Sequence, residues 1–136
     1  MKLFVSLLIA LSLSSGCKKT IERIKEDAIL DAMTDGQWVI TSFSIDGVDH
    51  TADFSTYKFQ YFRNKTVQAI NNGSVEKTGN WDGDADAMTT SADFPSATSP
   101  ISWLNGTWHI DNNSWTFVVA SLVTGGETRN MRLEKL

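Results

Sequence analysis

From Gly36 to the end of the chain, short runs of β-branched and aromatic residues alternate with clusters of turn formers, and no segment of helical period separates them. The first run opens with Gly36-Gln37-Trp38 and continues Val39-Ile40-Thr41-Ser42-Phe43-Ser44-Ile45 to the turn pair Asp46-Gly47. Tyr57-Lys58-Phe59-Gln60-Tyr61 alternates aromatic and polar residues, the pattern of a strand with one buried face. Thr66 to Ile70 and Val75 to Trp81 flank Asn71-Asn72-Gly73, a strong hairpin signal. Asp82-Gly83-Asp84-Ala85-Asp86 predicts a turn and Ala87 to Ser91 a short strand. Asn105-Gly106 predicts a tight turn or a bulge before a strand centred on Thr107 to Ile110, and Asp111-Asn112-Asn113 a turn. Trp115-Thr116-Phe117-Val118-Val119 predicts a buried strand, and Thr128 to Lys135 closes the chain with Met131 and Leu133 on one face. About eight strands at hairpin spacing make an antiparallel up-and-down meander. Closing it into a β-barrel removes exposed edges and leaves an interior for side chains or one small ligand.

The segment from Ala92 to Ile101 holds both prolines, Pro95 and Pro100, among Ser and Thr, and predicts a loop. Such loops carry function more often than strands do. With 136 residues the chain supports one domain, and with 21% charged residues and a net charge of −4 it lacks the basic footprint of a nucleic-acid binder. Five Trp, seven Phe and two Tyr must be buried or held against a ligand. The set Trp38, Phe43, Tyr57, Phe59, Tyr61, Trp81, Trp103, Trp108, Trp115 and Phe117 serves either a packed core or the wall of an apolar pocket.

Ahead of the strands, Met1-Lys2 is followed by an apolar run from Leu3 to Leu13, the size of a signal peptide. Ser14-Ser15-Gly16-Cys17 then resembles the processing site of a bacterial lipoprotein. That resemblance implies cleavage after residue 16, lipidation of Cys17, the sole cysteine, and membrane attachment. The absence of an acidic residue directly after Cys17 adds, by analogy, delivery to the outer membrane of the cell envelope. The alternative is a conventional secretory signal with an incidental cysteine. Thr20 is of the residue type expected at a helix N-cap, and Ile21, Ile24, Ala28, Ile29, Leu30 and Met33 share a face until Gly36 stops the pattern. This predicts a short amphipathic helix that acts either as a spacer or as a plug over one end of the barrel. The expected organisation is a signal peptide over 1–16, a lipidated tether helix over 17–35 and a barrel over 36–136.

Gly36-x-Trp38, Asp46-Gly47, Thr51, Tyr57-x-Phe59, Gly79-x-Trp81, Trp108-x-Ile110 and the closing Arg132-Leu133 together resemble the bacterial lipocalin-like lipoproteins. The resemblance implies a lipocalin-like barrel that binds a small hydrophobic molecule without catalysing a reaction. Trp38, Phe43, Tyr57, Phe59, Tyr61, Trp81, Trp108, Trp115 and Phe117 would surround that molecule. Gly36, Trp38 and Arg132 would form the structural signature, the arginine packing over the indole of Trp38.

Chemistry beyond apolar binding finds little support in the residues. Asp82, Asp84, Asp86 and Asp93 echo calcium-loop spacing, but Ala87 stands where such a loop needs Gly, and no bidentate Glu follows. His50 and His109 have no partner cysteines or histidines at ligand spacing. Asp46, Asp49 and Asp53 could exchange protons only within a cleft. There is no nucleophile elbow and no phosphate-cradling loop, so no catalytic residue, metal or cofactor is assigned. Against the ligand carrier stands a second expectation: a filled barrel acting as a structural or interaction module, with Ala92 to Ile101 contacting an envelope protein or glycan.

Overall fold

A computed structural model of the chain describes Ile21 and residues 23–136; Cys17 and the signal segment lie outside the described residues. Ile21 and residues 23–34 are helical and make up α1. Nine strands follow: β1 (Trp38–Ile45), β2 (Val48–Asp49), β3 (Tyr57–Tyr61), β4 (Thr66–Asn71), β5 (Ser74–Asp84), β6 (Thr89–Asp93), β7 (Gly106–Asn113), β8 (Phe117–Thr124) and β9 (Glu127–Lys135). β2 is a two-residue extension of the hairpin leaving β1. The other eight strands run antiparallel in chain order, and β9 returns to pair with β1 from Trp38↔Lys135 to Ile45↔Arg129. The result is a closed eight-stranded lipocalin-like barrel. Between β1 and β3, pairing is confined to Trp38 opposite Phe59.

Alternation of side chains fills the interior, and register shifts correct it where the sequence slips out of phase. Trp38 and Ile40 point inward, and a bulge between Ile40 and Ser42 then shifts the parity so that Phe43 is buried in place of Ser42. A second shift between Ile110 and Asn112 carries β7 through Asp111-Asn112-Asn113, so these residues continue a strand where the sequence predicts a turn. Similarly, β5 extends to Asp84, and the reversal falls at residues 85–88. Asn72 and Gly73 both adopt positive φ (49° and 82°), the geometry of the predicted two-residue hairpin turn.

Antiparallel order places α1 and the β3–β4, β5–β6 and β7–β8 turns at one end of the barrel. The opposite end is sealed by two 3₁₀ helices, Thr51–Phe54 and Ile101–Leu104. Phe54, Phe94, Ile101 and Leu104 are buried there. Phe43 lies 4.9 Å from Phe54 and stacks at 5.9 Å on Trp103, whose carbonyl accepts a hydrogen bond from Arg129 Nη1 (2.8 Å). The proline-containing segment is therefore a packed cap and not a free loop. Its Phe94 is held on both sides by Asn105, which accepts from the Phe94 N–H (2.7 Å) and donates to its carbonyl (3.3 Å).

Trp115 corrects the expected buried strand. The chain reverses at residues 114–116, the Ser114 N–H donating to the Phe117 carbonyl (2.9 Å), and Trp115 stands 61% exposed on that turn. Because Val118 and Ala120 face inward, Phe117 faces outward, covered by the Arg132 guanidinium 4.5 Å from its ring.

Gly79 sits on β5 beneath the cap, where an added methyl would collide with the Asp93 carbonyl oxygen and come within 2.8 Å of Phe94 Cδ1. Backbone cannot yield as a flexible side chain does. Gly79→Ala is expected to lower unfolding stability by about 1–3 kcal/mol, measurable as a lower denaturant midpoint at unchanged slope.

Candidate functional site

The end of the barrel under α1 carries the site. Helix residues Ile29, Leu30 and Met33 pack on the barrel core, so the amphipathic pattern of the tether segment becomes a plug across the opening. Its last turn is fixed by Trp38, which is fully buried and donates from Nε1 to the Met33 carbonyl (3.0 Å). Gln60 Nε2 donates to the Gly36 carbonyl (3.3 Å) beside it.

The basic residue over the Trp38 ring is Lys135, with Nζ 5.3 Å from the ring, and not the expected Arg132. Strand parity explains the correction. Met131 and Leu133 face the interior, so Lys135 shares their face and lies across from Trp38, whereas Arg132 pairs with Ser42 and projects outward onto Phe117. Arg132 is thus part of the outer surface and has no place in the signature around Trp38.

Ion pairs bind the exposed face of α1 to two of the turns beneath it. Arg63 reaches Asp31 (2.7 Å) and Asp27 (4.0 Å), Lys65 bridges Glu26 (3.8 Å) and Asp82 (2.7 Å), and Lys25 meets Asp86 (3.1 Å). Exposed pairs contribute about 0.2–1 kcal/mol each, so the latch orients the helix while the buried face supplies most of the attachment. Lys65 also holds the Asp82 carboxyl below its ordinary range through their hydrogen bond. Asp84 accepts from the Asp86 and Ala87 N–H groups (both 3.0 Å), so the alternating aspartates are employed in the turn and the latch. Among the described residues no group of three His, Cys, Asp or Glu is placed to hold a metal ion. His50 meets Asp53 (3.3 Å) and His109, within β7, meets Asp111 (2.9 Å). Asp46 accepts from the Thr128 N–H (2.8 Å), and Asp49 is held below its ordinary range chiefly by the Thr51 hydroxyl.

Directly beneath α1 lies an apolar cavity of about 100 Å³. Of the aromatic residues expected to surround a ligand, Phe59, Tyr61, Trp81 and Trp108 line it. Trp38, Phe43 and Tyr57 are buried in the packing around it, and Trp115 and Phe117 lie outside the barrel. Ile29 and Met33, which the sequence places on the helix's apolar face, line the cavity, as do Ala32 from the helix and Phe94 and Leu104 from the opposite cap, which the sequence does not single out. For Ala32 the neighbouring apolar helix face is the signal in the sequence, and for Phe94 it is an aromatic within a proline-rich segment.

The wall is chemically quiet. Trp81 Nε1 donates to the Phe62 carbonyl (3.0 Å) and Trp108 Nε1 to the Leu104 carbonyl (2.9 Å), so both indoles turn apolar surface to the cavity with their N–H groups already satisfied. Tyr61 packs edge-on to Trp81 at 5.4 Å, and burial pushes its hydroxyl above the ordinary phenol range. Tyr57 donates to Glu76 (2.7 Å), and desolvation together with that carboxylate pushes it up to about 12. Thr90, Ser91, Asn113 and Ser114 supply polar atoms at the margin. Such a cavity selects by size and apolar surface.

The helix packs closely over Gly83, where an added Cβ would lie 3.0 Å from Ile29 Cγ2. Gly83→Val is expected to unseat α1 while sparing the barrel. Hydrogen exchange should then accelerate across residues 23–34 and stay unchanged in β7 to β9.

No protein-family model matches the chain, and no curated protein matches it. Among solved structures, a DUF4847 family protein from Bacteroides vulgatus is similar in fold, with a TM-score of 0.54 at 11% identity over 78% of this chain and 96% of that one.

Proposed function

We propose that this protein is a lipid-anchored envelope lipoprotein whose lipocalin-like barrel holds a small apolar molecule and performs no chemistry on it. The observation that carries this reading is the apolar cavity under α1, walled by Phe59, Tyr61, Trp81 and Trp108 and roofed by Ile29 and Met33. At about 100 Å³ it is smaller than a cavity of ~150 Å³ that accommodates benzene, and far below the ~300 Å³ at which drug-sized pockets begin. The ligand class is accordingly compact, a short branched aliphatic group or, with the roof of Ile29 and Met33 yielding, a single small ring. A longer chain would enter only with α1 displaced.

A second reading is favoured by the same measurement. An interior so nearly filled, with a sealed far end, also suits an interaction module that uses its surface alone.

Two experiments test these points. Native mass spectrometry of the purified protein, followed by titration with small aromatic and branched aliphatic compounds, should show binding that quenches or shifts Trp81 and Trp108 emission. Ala92 lines the cavity, and Ala92→Leu should fill it and reduce affinity at least tenfold with the barrel intact. Binding that survives this substitution, or its absence from the unaltered protein, favours the second reading. For the anchor, Cys17→Ala is expected to move the protein out of the membrane fraction; its retention there would contradict lipidation.

A further inference from the structure

The end of the barrel that carries α1 also carries most of the exposed large apolar side chains. Ile21, Ile24, Phe62, Met88, Trp115 and Leu136 all lie there, on the helix, on three successive turns and at the chain's last residue. Exposed Val48, Val75 and Val123 belong to the opposite end, which has no exposed large aromatic residue among those described. The two exposed aromatics, Phe62 and Trp115, stand on the β3–β4 and β7–β8 turns.

Chain length decides what these residues face. Four residue steps separate Cys17 from Ile21, a reach of at most about 14 Å even when fully extended. An eight-residue strand such as β8 is roughly 26 Å long. A lipid on Cys17 therefore keeps the α1 end beside the bilayer and leaves the 3₁₀-capped end pointing away. Trp at such a boundary is favoured because its ring is apolar and its N–H remains wet. Charge gives this face no pull on anionic lipid: Lys25, Arg63, Lys65 and Lys135 each meet a carboxylate, and Glu26, Asp27, Asp31, Asp35, Asp82 and Asp86 at this end outnumber them.

We infer that the α1 end is a membrane-contacting face, with Trp115 and Phe62 seated in the interfacial layer of the bilayer that holds the anchor. The inference rests on the lipid-anchor reading. With carboxylates in excess at this end, the contact is made by apolar side chains and does not require anionic lipid. The cavity beneath α1 then lies at the end nearest the source of apolar molecules.

The test uses the full lipidated protein reconstituted into phosphatidylcholine vesicles, with and without bromine near the head of the acyl chains. Bromine should quench the share of emission carried by Trp115, one of five indoles, and Trp115→Phe should abolish that quenching. In the Trp115→Phe background, Val123→Trp places a reporter at the far end, and this indole should remain unquenched. Equal quenching of the unaltered protein and Trp115→Phe, while both stay vesicle-bound, overturns the membrane-facing assignment alone. A blue shift of Trp115 emission that grows with protein concentration and ignores bromine assigns the face to a second copy of the chain and also overturns it. Failure of the protein to partition with vesicles at all removes the anchor reading, and this inference with it.

Discussion

Trp38 is the residue through which the separate parts of the molecule meet. Its backbone pairs with Phe59 on β3 and Lys135 on β9, and its indole N–H ties the end of α1 to the barrel through the Met33 carbonyl. Helix, first strand and last strand thus share one fully buried side chain, and removing so large a ring from a packed site costs about 3–5 kcal/mol in comparable cores. The Lys135 ammonium over the ring adds an attraction that depends on β9 being in the right register. The plug and the closure of the barrel are therefore coupled at one place.

Parity governs the rest. One extra residue in β1 exchanges Ser42 for Phe43 in the core, and the shift in β7 keeps its polar tail in the sheet. The same rule turns Phe117 and Arg132 to the outside, where they satisfy each other, and leaves the interior to Phe59, Trp81 and Trp108. The indole donors that could have read a polar ligand are already engaged by backbone carbonyls. What remains is a small hydrophobic space under a latched helix.

Much of the architecture is legible in the residues because period-two alternation and turn chemistry are local properties. Tyr57–Tyr61 falls where its pattern predicts, and the turns at Asp46-Gly47 and Asn72-Gly73 follow from their residue types. The position of Trp115 is not legible locally, because an apolar run of β-formers does not reveal where the chain reverses; hydrogen bonding of Ser114 to Phe117 decides that. Arg132 was misplaced because a one-residue difference in phase moves a side chain through the sheet. The site was harder still. Ile29 comes from the helix and Phe94 and Leu104 from the opposite cap, and only tertiary closure brings them around one cavity.

The pairing of β1 with β9 joins residue 38 to residue 135, so nearly the entire domain must be looped before that seam exists. Such long-range closure slows folding, since chain entropy is lost before the contacts that offset it can form. Until the nine residues of β9 arrive, β1 and β8 each present an unpaired edge capable of recruiting another chain. The C-terminal strand is consequently the step that converts an association-prone ribbon into a protein without open edges there, and its timing governs how long the chain needs shielding.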